Sequence, residues 1–221
     1  MFVKICGITN EEDALLAVAM GADAIGFIFA PSPRQIAPTK VREIVKRLPS
    51  EILTVGVFRD EHPLRITEVM KSARLQGVQL HGHETPQATF EVVKSARFVI
   101  KAVVAGSEDA RRAYEFNTDV ILVDGVSPGS GQVLDWSLLS EIPDTVLVML
   151  SGGLTPENVA DGVKLVKPWG VDVCSGVEKS PGHKDPLKLR RFIAAARAAE
   201  LKQPEVPWDP KNQPYDWAED E

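Results

Sequence analysis

Cysteine is nearly absent from this chain. The 221 residues hold only Cys6 and Cys174, too few for the disulfide framework of a small secreted domain, and both are read as free thiols in a reducing compartment. No apolar run approaches the ~20 residues that a membrane span needs. The N-terminus also lacks a basic segment leading into a long apolar core. The chain is therefore read as cytoplasmic, with no membrane partner. Positive charge is in deficit: 25 Lys and Arg against 31 Asp and Glu leave a net charge of −6 and a pI near 5.3. That balance argues against a nucleic-acid partner, whose phosphates need clustered cations, but it leaves room for a local basic pocket that takes one phosphate. No Gly-x-Gly-x-x-Gly follows the first apolar run, so the dinucleotide fingerprint of an open doubly wound sheet is missing. His81-Gly82-His83 has the look of a metal pair, yet no second cluster of His and carboxylates accompanies it, and no metal is expected.

What is present is alternation. Short runs rich in Val, Ile and Phe predict strands over 2–6, 24–29, 52–58, 77–80, 98–103, 120–123, 146–150 and 170–174. Helical patterns lie between them, over 11–20, 39–48, 64–73, 86–95, 107–116, 156–166 and 186–199, with a weaker one over 136–141. Gly21 is read as a C-cap of the first, and Pro38 and Pro63 stand where a first helical turn accepts proline. Near-continuous apolar strands alternating with helices imply parallel pairing buried on both faces. Eight such units of roughly 25 residues each predict a single (β/α)8 TIM barrel, occupying residues 1–200. Residues 201–221 form a short Pro-rich, acidic C-terminal extension whose Trp208, Tyr215 and Trp217 could dock back on the barrel or on a neighbour.

In such barrels chemistry sits at the carboxyl ends of the strands. There the chain places Cys6-Gly7, Pro31-Ser32-Pro33-Arg34, His81-Gly82-His83, Asp124-Gly125, Ser151-Gly152-Gly153 and Ser175-Gly176. The glycine-rich turns after the seventh and eighth runs, Gly152-Gly153 and Ser175-Gly176, expose backbone N–H groups and point to a bound phosphate. Asp124 has two readings, a general acid or a cap that accepts N–H bonds from its own loop. Cys6 is either a small buried side chain or, as a thiolate, a nucleophile or base. The planar fork of Arg34, on a loop stiffened by two prolines, suits a carboxylate or a phosphate.

Several segments closely resemble the signatures of the phosphoribosylanthranilate isomerase family. They are Lys4-Ile5-Cys6-Gly7-Ile8-Thr9, Gly26-Phe27-Ile28-Phe29 with Ser32-Pro33-Arg34, Val78-Gln79-Leu80-His81-Gly82, Ser151-Gly152-Gly153-Leu154, and Gly170-Val171-Asp172-Val173 with Ser175-Gly176-Val177-Glu178. The resemblance runs in order from residue 2 to about residue 197 and implies a cofactor-free Amadori rearrangement in tryptophan biosynthesis, on a phosphorylated small molecule, by a monomer or homodimer. It implies Cys6 as general base, Asp124 as general acid, Arg34 on the anthranilate carboxylate, and Asp172 and His81 among the substrate-facing residues. Ser130, between Gly129 and Gly131, stands where the family usually has threonine. Barrel and phosphate loops alone would also fit another sugar-phosphate isomerase or epimerase, or a non-catalytic binder of a phosphorylated metabolite.

Overall fold

In the computed structural model, which describes residues 1–125 and 135–200, eight parallel strands close into a barrel. They are β1 (Phe2–Ile5), β2 (Ala24–Ile28), β3 (Leu53–Phe58), β4 (Gly77–Leu80), β5 (Phe98–Val104), β6 (Val120–Asp124), β7 (Val148–Leu150) and β8 (Gly170–Val173), each beside its sequence neighbour, with β8 returning to β1. That closing pair sets Lys4 against Asp172 and Ile5 against Val173. The expectation of eight parallel strands therefore holds, with ends shifted by at most two residues. The trailing residues 201–221 and the segment around Ser130 lie outside the described residues.

Alternation along each strand sorts its side chains. One set faces the barrel interior, where Ala24, Val55, Ile100, Ala102, Val120, Leu122 and Met149 pack together. Phe2, stacked on Trp169 with ring centroids 4.5 Å apart, joins this cluster near the amino ends of the strands. The other set, including Val3, Ile5, Ile25, Phe27, Ile121, Val123 and Val171, forms the layer under the helices. Toward the carboxyl ends the inward positions turn polar: Gln79 and Asp172 sit on them, both buried, and Asp124 ends β6. The interior is thus oil at one end and hydrogen-bonding at the other, and chemistry is confined to the second.

The helices are α1 (Glu11–Ala19), α2 (Pro38–Val45), α3 (Pro63–Ala73), α4 (Pro86–Val93), α5 (Glu108–Arg111), α6 (Val159–Val166) and α7 (Pro186–Ala199). Four of them open on proline, whose absent N–H costs nothing in a first turn. Three expectations differ. The helix foreseen over 107–116 is split, its second half a 3-10 turn, Ala113–Phe116. The tighter winding aligns residues three apart, so that Ala113 and Phe116 are both buried. The helix foreseen from Pro156 starts at Val159, because the Asn158 side chain accepts from Thr155 N at 2.7 Å and donates to the Gly153 carbonyl at 3.0 Å, holding the intervening residues in a turn. The weaker helical pattern over 136–141 winds as a 3-10 helix, Trp136–Glu141. Between β8 and α7 the chain also forms a two-stranded hairpin, β9 (Glu178–Ser180) with β10 (His183–Lys184).

Between strand and helix layers, the Lys101 ammonium is 1% exposed, 2.7 Å from the Glu84 carboxylate and 2.7 Å from the Gly82 carbonyl. Glu84 in turn accepts from the backbone N–H of Asp60 and of Gly82, so one ion pair ties the loops after β3 and β4. Lys101→Met should lower unfolding stability by about 3–5 kcal/mol, because it strands the Glu84 charge in the interior. Urea denaturation checks this, and Lys101→Met with Glu84→Leu should recover most of the loss.

Candidate active site

The carboxyl ends of the strands surround one cavity of about 450 Å³, within the range of small-ligand sites. All nine residues singled out from the sequence line it: Cys6, Arg34, His81, Asp124, Gly152, Gly153, Asp172, Ser175 and Gly176.

Cys6 is delivered by β1, its backbone N–H bonded to the Val173 carbonyl at 2.8 Å. The ladder that opposes Lys4 to Asp172 and Ile5 to Val173 brings Cys6 beside Cys174 just past its end, and in parallel strands such neighbours are about 4.8 Å apart. Both cysteines are free. Gly26 on β2 leaves the room this cluster needs, since a Cβ there would stand 2.9 Å from the Cys6 sulfur and 3.3 Å from the Lys4 ammonium. Lys4 itself is wholly buried, 2.8 Å from Asp172 Oδ1. Burial disfavours the ammonium charge, but Asp172 and the Cys6 sulfur together hold its pKa above the ordinary range. Cys6 moves the other way, down to about 6, because the Cys174 thiol donates toward it and Lys4 and Lys184 lie nearby, which together outweigh burial and the Asp172 charge. Cys174 is pushed up by its bond to Cys6 and by burial. Of the two thiols, Cys6 carries the charge.

Gly7 follows with φ of 75°, a left-handed conformation, and a Cβ there would approach the Cys174 sulfur to 2.7 Å and Arg34 Cδ to 2.8 Å. The glycine thus makes room for its neighbours in the wall as well as for the turn.

Arg34 is held by Glu178: Nε lies 2.9 Å from Oε1 and Nη2 lies 2.7 Å from Oε2. Glu178 also meets the buried Lys184 ammonium at 3.1 Å, and Lys184 donates to the Cys6 carbonyl at 2.6 Å and the Cys174 carbonyl at 3.1 Å. Burial alone would raise the Glu178 pKa, but Arg34 and Lys184 hold it below the usual carboxylate range. In the sequence Glu178 stands in a family-like motif with no role attached, and nothing marks Lys184. The Pro181-Gly182 turn between short polar stretches is the signal that would have revealed their hairpin.

On the far side, Asp124 is buried, its Oδ1 accepting from Gly125 N at 2.7 Å and its Oδ2 lying 3.4 Å from His81 Nε2. Asp124 thus caps its own turn and lines the cavity. The phosphate-type loops follow β7 and β8. Gly152 and Gly153 have φ of 82° and 68°, and neither N–H finds an acceptor among the described residues. Gly176 sits in a single 3-10 turn, Ser175–Val177, so close to the Leu154 carbonyl that no side chain would fit. Among the described residues no group of three His, Cys, Asp or Glu is arranged to hold a metal.

Comparison with known proteins agrees with this geometry. A 3-hexulose-6-phosphate synthase from Salmonella typhimurium, only 13% identical, shares the barrel alone at a TM-score of 0.69. A phosphoribosyl anthranilate isomerase from Thermus thermophilus superposes with a TM-score of 0.84 at 40% identity, over 90% of this chain and 99% of that one. An isomerase of the same name, solved with reduced 1-(o-carboxyphenylamino)-1-deoxyribulose 5-phosphate, gives 0.79 at 41% identity over 90% and 99%. The N-(5'-phosphoribosyl)anthranilate isomerase of Desulforudis audaxviator is 45% identical over 205 residues, 89% of this chain and 98% of its own. With residues 3–195 also matching the family model for N-(5'phosphoribosyl)anthranilate (PRA) isomerase, the chain belongs to that family.

Proposed function

We propose that the protein converts N-(5'-phosphoribosyl)anthranilate into the corresponding 1-deoxyribulose 5-phosphate, with Cys6 as base and Asp124 as acid. The observation that carries this reading is the pairing, across one cavity, of the Cys6 thiol, beside the buried Lys4 ammonium, with the buried Asp124 carboxyl. Two groups of unlike proton affinity on opposite sides of a substrate are what an aldose–ketose shift needs.

Asp124 Oδ2 donates a proton to the ribose ring oxygen as the bond from that oxygen to C1 breaks. The anthranilate nitrogen supplies the electron pair and becomes an iminium. The Cys6 thiolate then removes the proton from C2, and the freed electrons form the C1–C2 double bond and neutralise the nitrogen. The resulting enolamine tautomerises to the ketone. Lys4, anchored by Asp172, keeps positive charge beside the thiolate. The phosphate is received by the N–H groups of Gly152, Gly153 and Gly176, with the Ser175 hydroxyl. Glu178 takes one edge of the Arg34 fork and leaves the Nη1 side for the anthranilate carboxylate, a clamp of no use to a plain sugar phosphate. Two free thiols at the working end call for a reducing compartment, which favours the cytoplasm.

Cys6→Ala and Asp124→Asn should each lower kcat by roughly 10²–10⁴-fold in an assay with freshly generated phosphoribosylanthranilate. Near wild-type turnover in either would remove the role assigned to that residue. Arg34→Ala should raise KM by roughly 10–100-fold, with a smaller change in kcat. Because the base works as a thiolate, kcat/KM should fall as pH drops through about 6. In Lys4→Met the thiolate loses its cation and keeps Asp172 as an unpaired neighbour, so the thiolate absorbance titration and the acid limb should both move upward.

A further inference from the structure

Gln79 lies two residues before His81 at the end of β4, and its side chain turns the same way into the cavity wall. It is 1% exposed. Its Nε2 stands 2.8 Å from His81 Nδ1. An amide nitrogen only donates, so Nδ1 accepts and the ring proton sits on Nε2, facing Asp124 Oδ2 at 3.4 Å. The other end of the amide is unaccounted for: Gln79 Oε1 is buried with no hydrogen-bond partner among the described residues. A buried acceptor left bare is unfavourable, and its presence calls for a reason.

Turning the amide over supplies one. Oε1 would then lie at Nδ1 and accept a proton held there, so this one side chain can serve the resting Nε2–H ring through its own Nε2 and any ring that carries a proton on Nδ1, neutral or charged, through Oε1. The His81 ring also reaches further out than its partner, 22% exposed against 9% for the Asp124 side chain. Because Gly125 N occupies Asp124 Oδ1, Oδ2 alone meets both the ring and the cavity.

We propose that His81 is a proton relay that reloads Asp124 after each turnover, and that Gln79 is the positioning residue that lets the ring carry the extra proton. This rests on Asp124 being the acid. Each turnover moves one proton from Asp124 to the ring oxygen and one from C2 to Cys6, leaving a buried carboxylate that must be reprotonated before the next. In the tautomer whose proton sits on Nδ1 and is held by Gln79 Oε1, His81 Nε2 is bare; it takes a proton from water at the cavity mouth and passes it to Oδ2, which returns the ring to that same neutral tautomer. The proton on Cys6 returns to solvent, and the balance closes.

The test uses the full chain with His81→Ala and Gln79→Leu, comparing a single turnover, with enzyme in excess, against steady state. Gln79→Leu should complete the first turnover within about twofold of the wild-type rate yet run roughly tenfold or more slowly in steady state, and His81→Ala should lose several-fold more in steady state than in its first turnover. Added imidazole should restore His81→Ala in a saturable way. A purely structural role would slow both phases and show no rescue. Unchanged steady-state rates, or an equal loss in both phases without rescue, would overturn the relay. Binding of reduced 1-(o-carboxyphenylamino)-1-deoxyribulose 5-phosphate shows that each variant is folded, and Gln79→Glu, which still offers an acceptor to Nδ1, should keep more activity than Gln79→Leu. Full turnover in Asp124→Asn would instead bring down the acid assignment itself.

Discussion

The buried ion pair between Lys4 and Asp172 is the interaction on which the working end of this barrel depends. It spans the seam where the last strand meets the first and joins residues 168 apart in the chain. Taking both charges out of water is costly, and well-packed apolar side chains would often serve stability as well or better. Its chemical use is clearer. The seam that opposes Lys4 and Asp172 sets Cys6 beside Cys174 two rungs further on, so the ammonium and a thiol donor both reach the same sulfur. Closing the barrel and keeping a thiolate are one event.

Two further polar clusters hold the rest of the rim. Lys101 with Glu84 ties down the turn that carries His81, using the carbonyl of Gly82 and the N–H groups of Asp60 and Gly82. Lys184, from a hairpin that packs against the top of β1 and β8, gathers the carbonyls of Cys6 and Cys174 and the Glu178 carboxylate, which in turn aims Arg34. Each cluster places a lysine where its charge is spent on loop backbone and one carboxylate. The result is a cavity whose walls are fixed by ion pairs and whose reacting groups keep an unbonded face.

Much of the fold was legible because its signals are local. A strand buried on both faces is an unbroken apolar run, and a proline-led amphipathic stretch is a helix. The elements that differed answer to side-chain contacts that periodicity does not display. The Asn158 side chain delays α6, the burial of Phe116 tightens the second half of the fifth crossover into a 3-10 turn, and the hairpin of Glu178 and Lys184 forms because Lys184 has carbonyls on two other strands to bind. In the site, residues at strand ends were readable by position, and the resemblance supplied roles for Cys6, Asp124 and Arg34. Lys4 was visible only as a break in an apolar run, and Gln79 only as part of a motif.

By itself the sequence determined eight parallel strands, the direction of their chemistry toward the carboxyl ends, and the residue types at that rim, because periodicity and turn chemistry act over a few residues. Only the tertiary structure decided which of those residues meet. The pairing of Lys4 with Asp172, of Cys6 with Cys174, of Arg34 with Glu178, and of Gln79 with Asp124 through His81 depends on barrel closure and strand register. Those are long-range constraints, and no stretch of chain carries them alone.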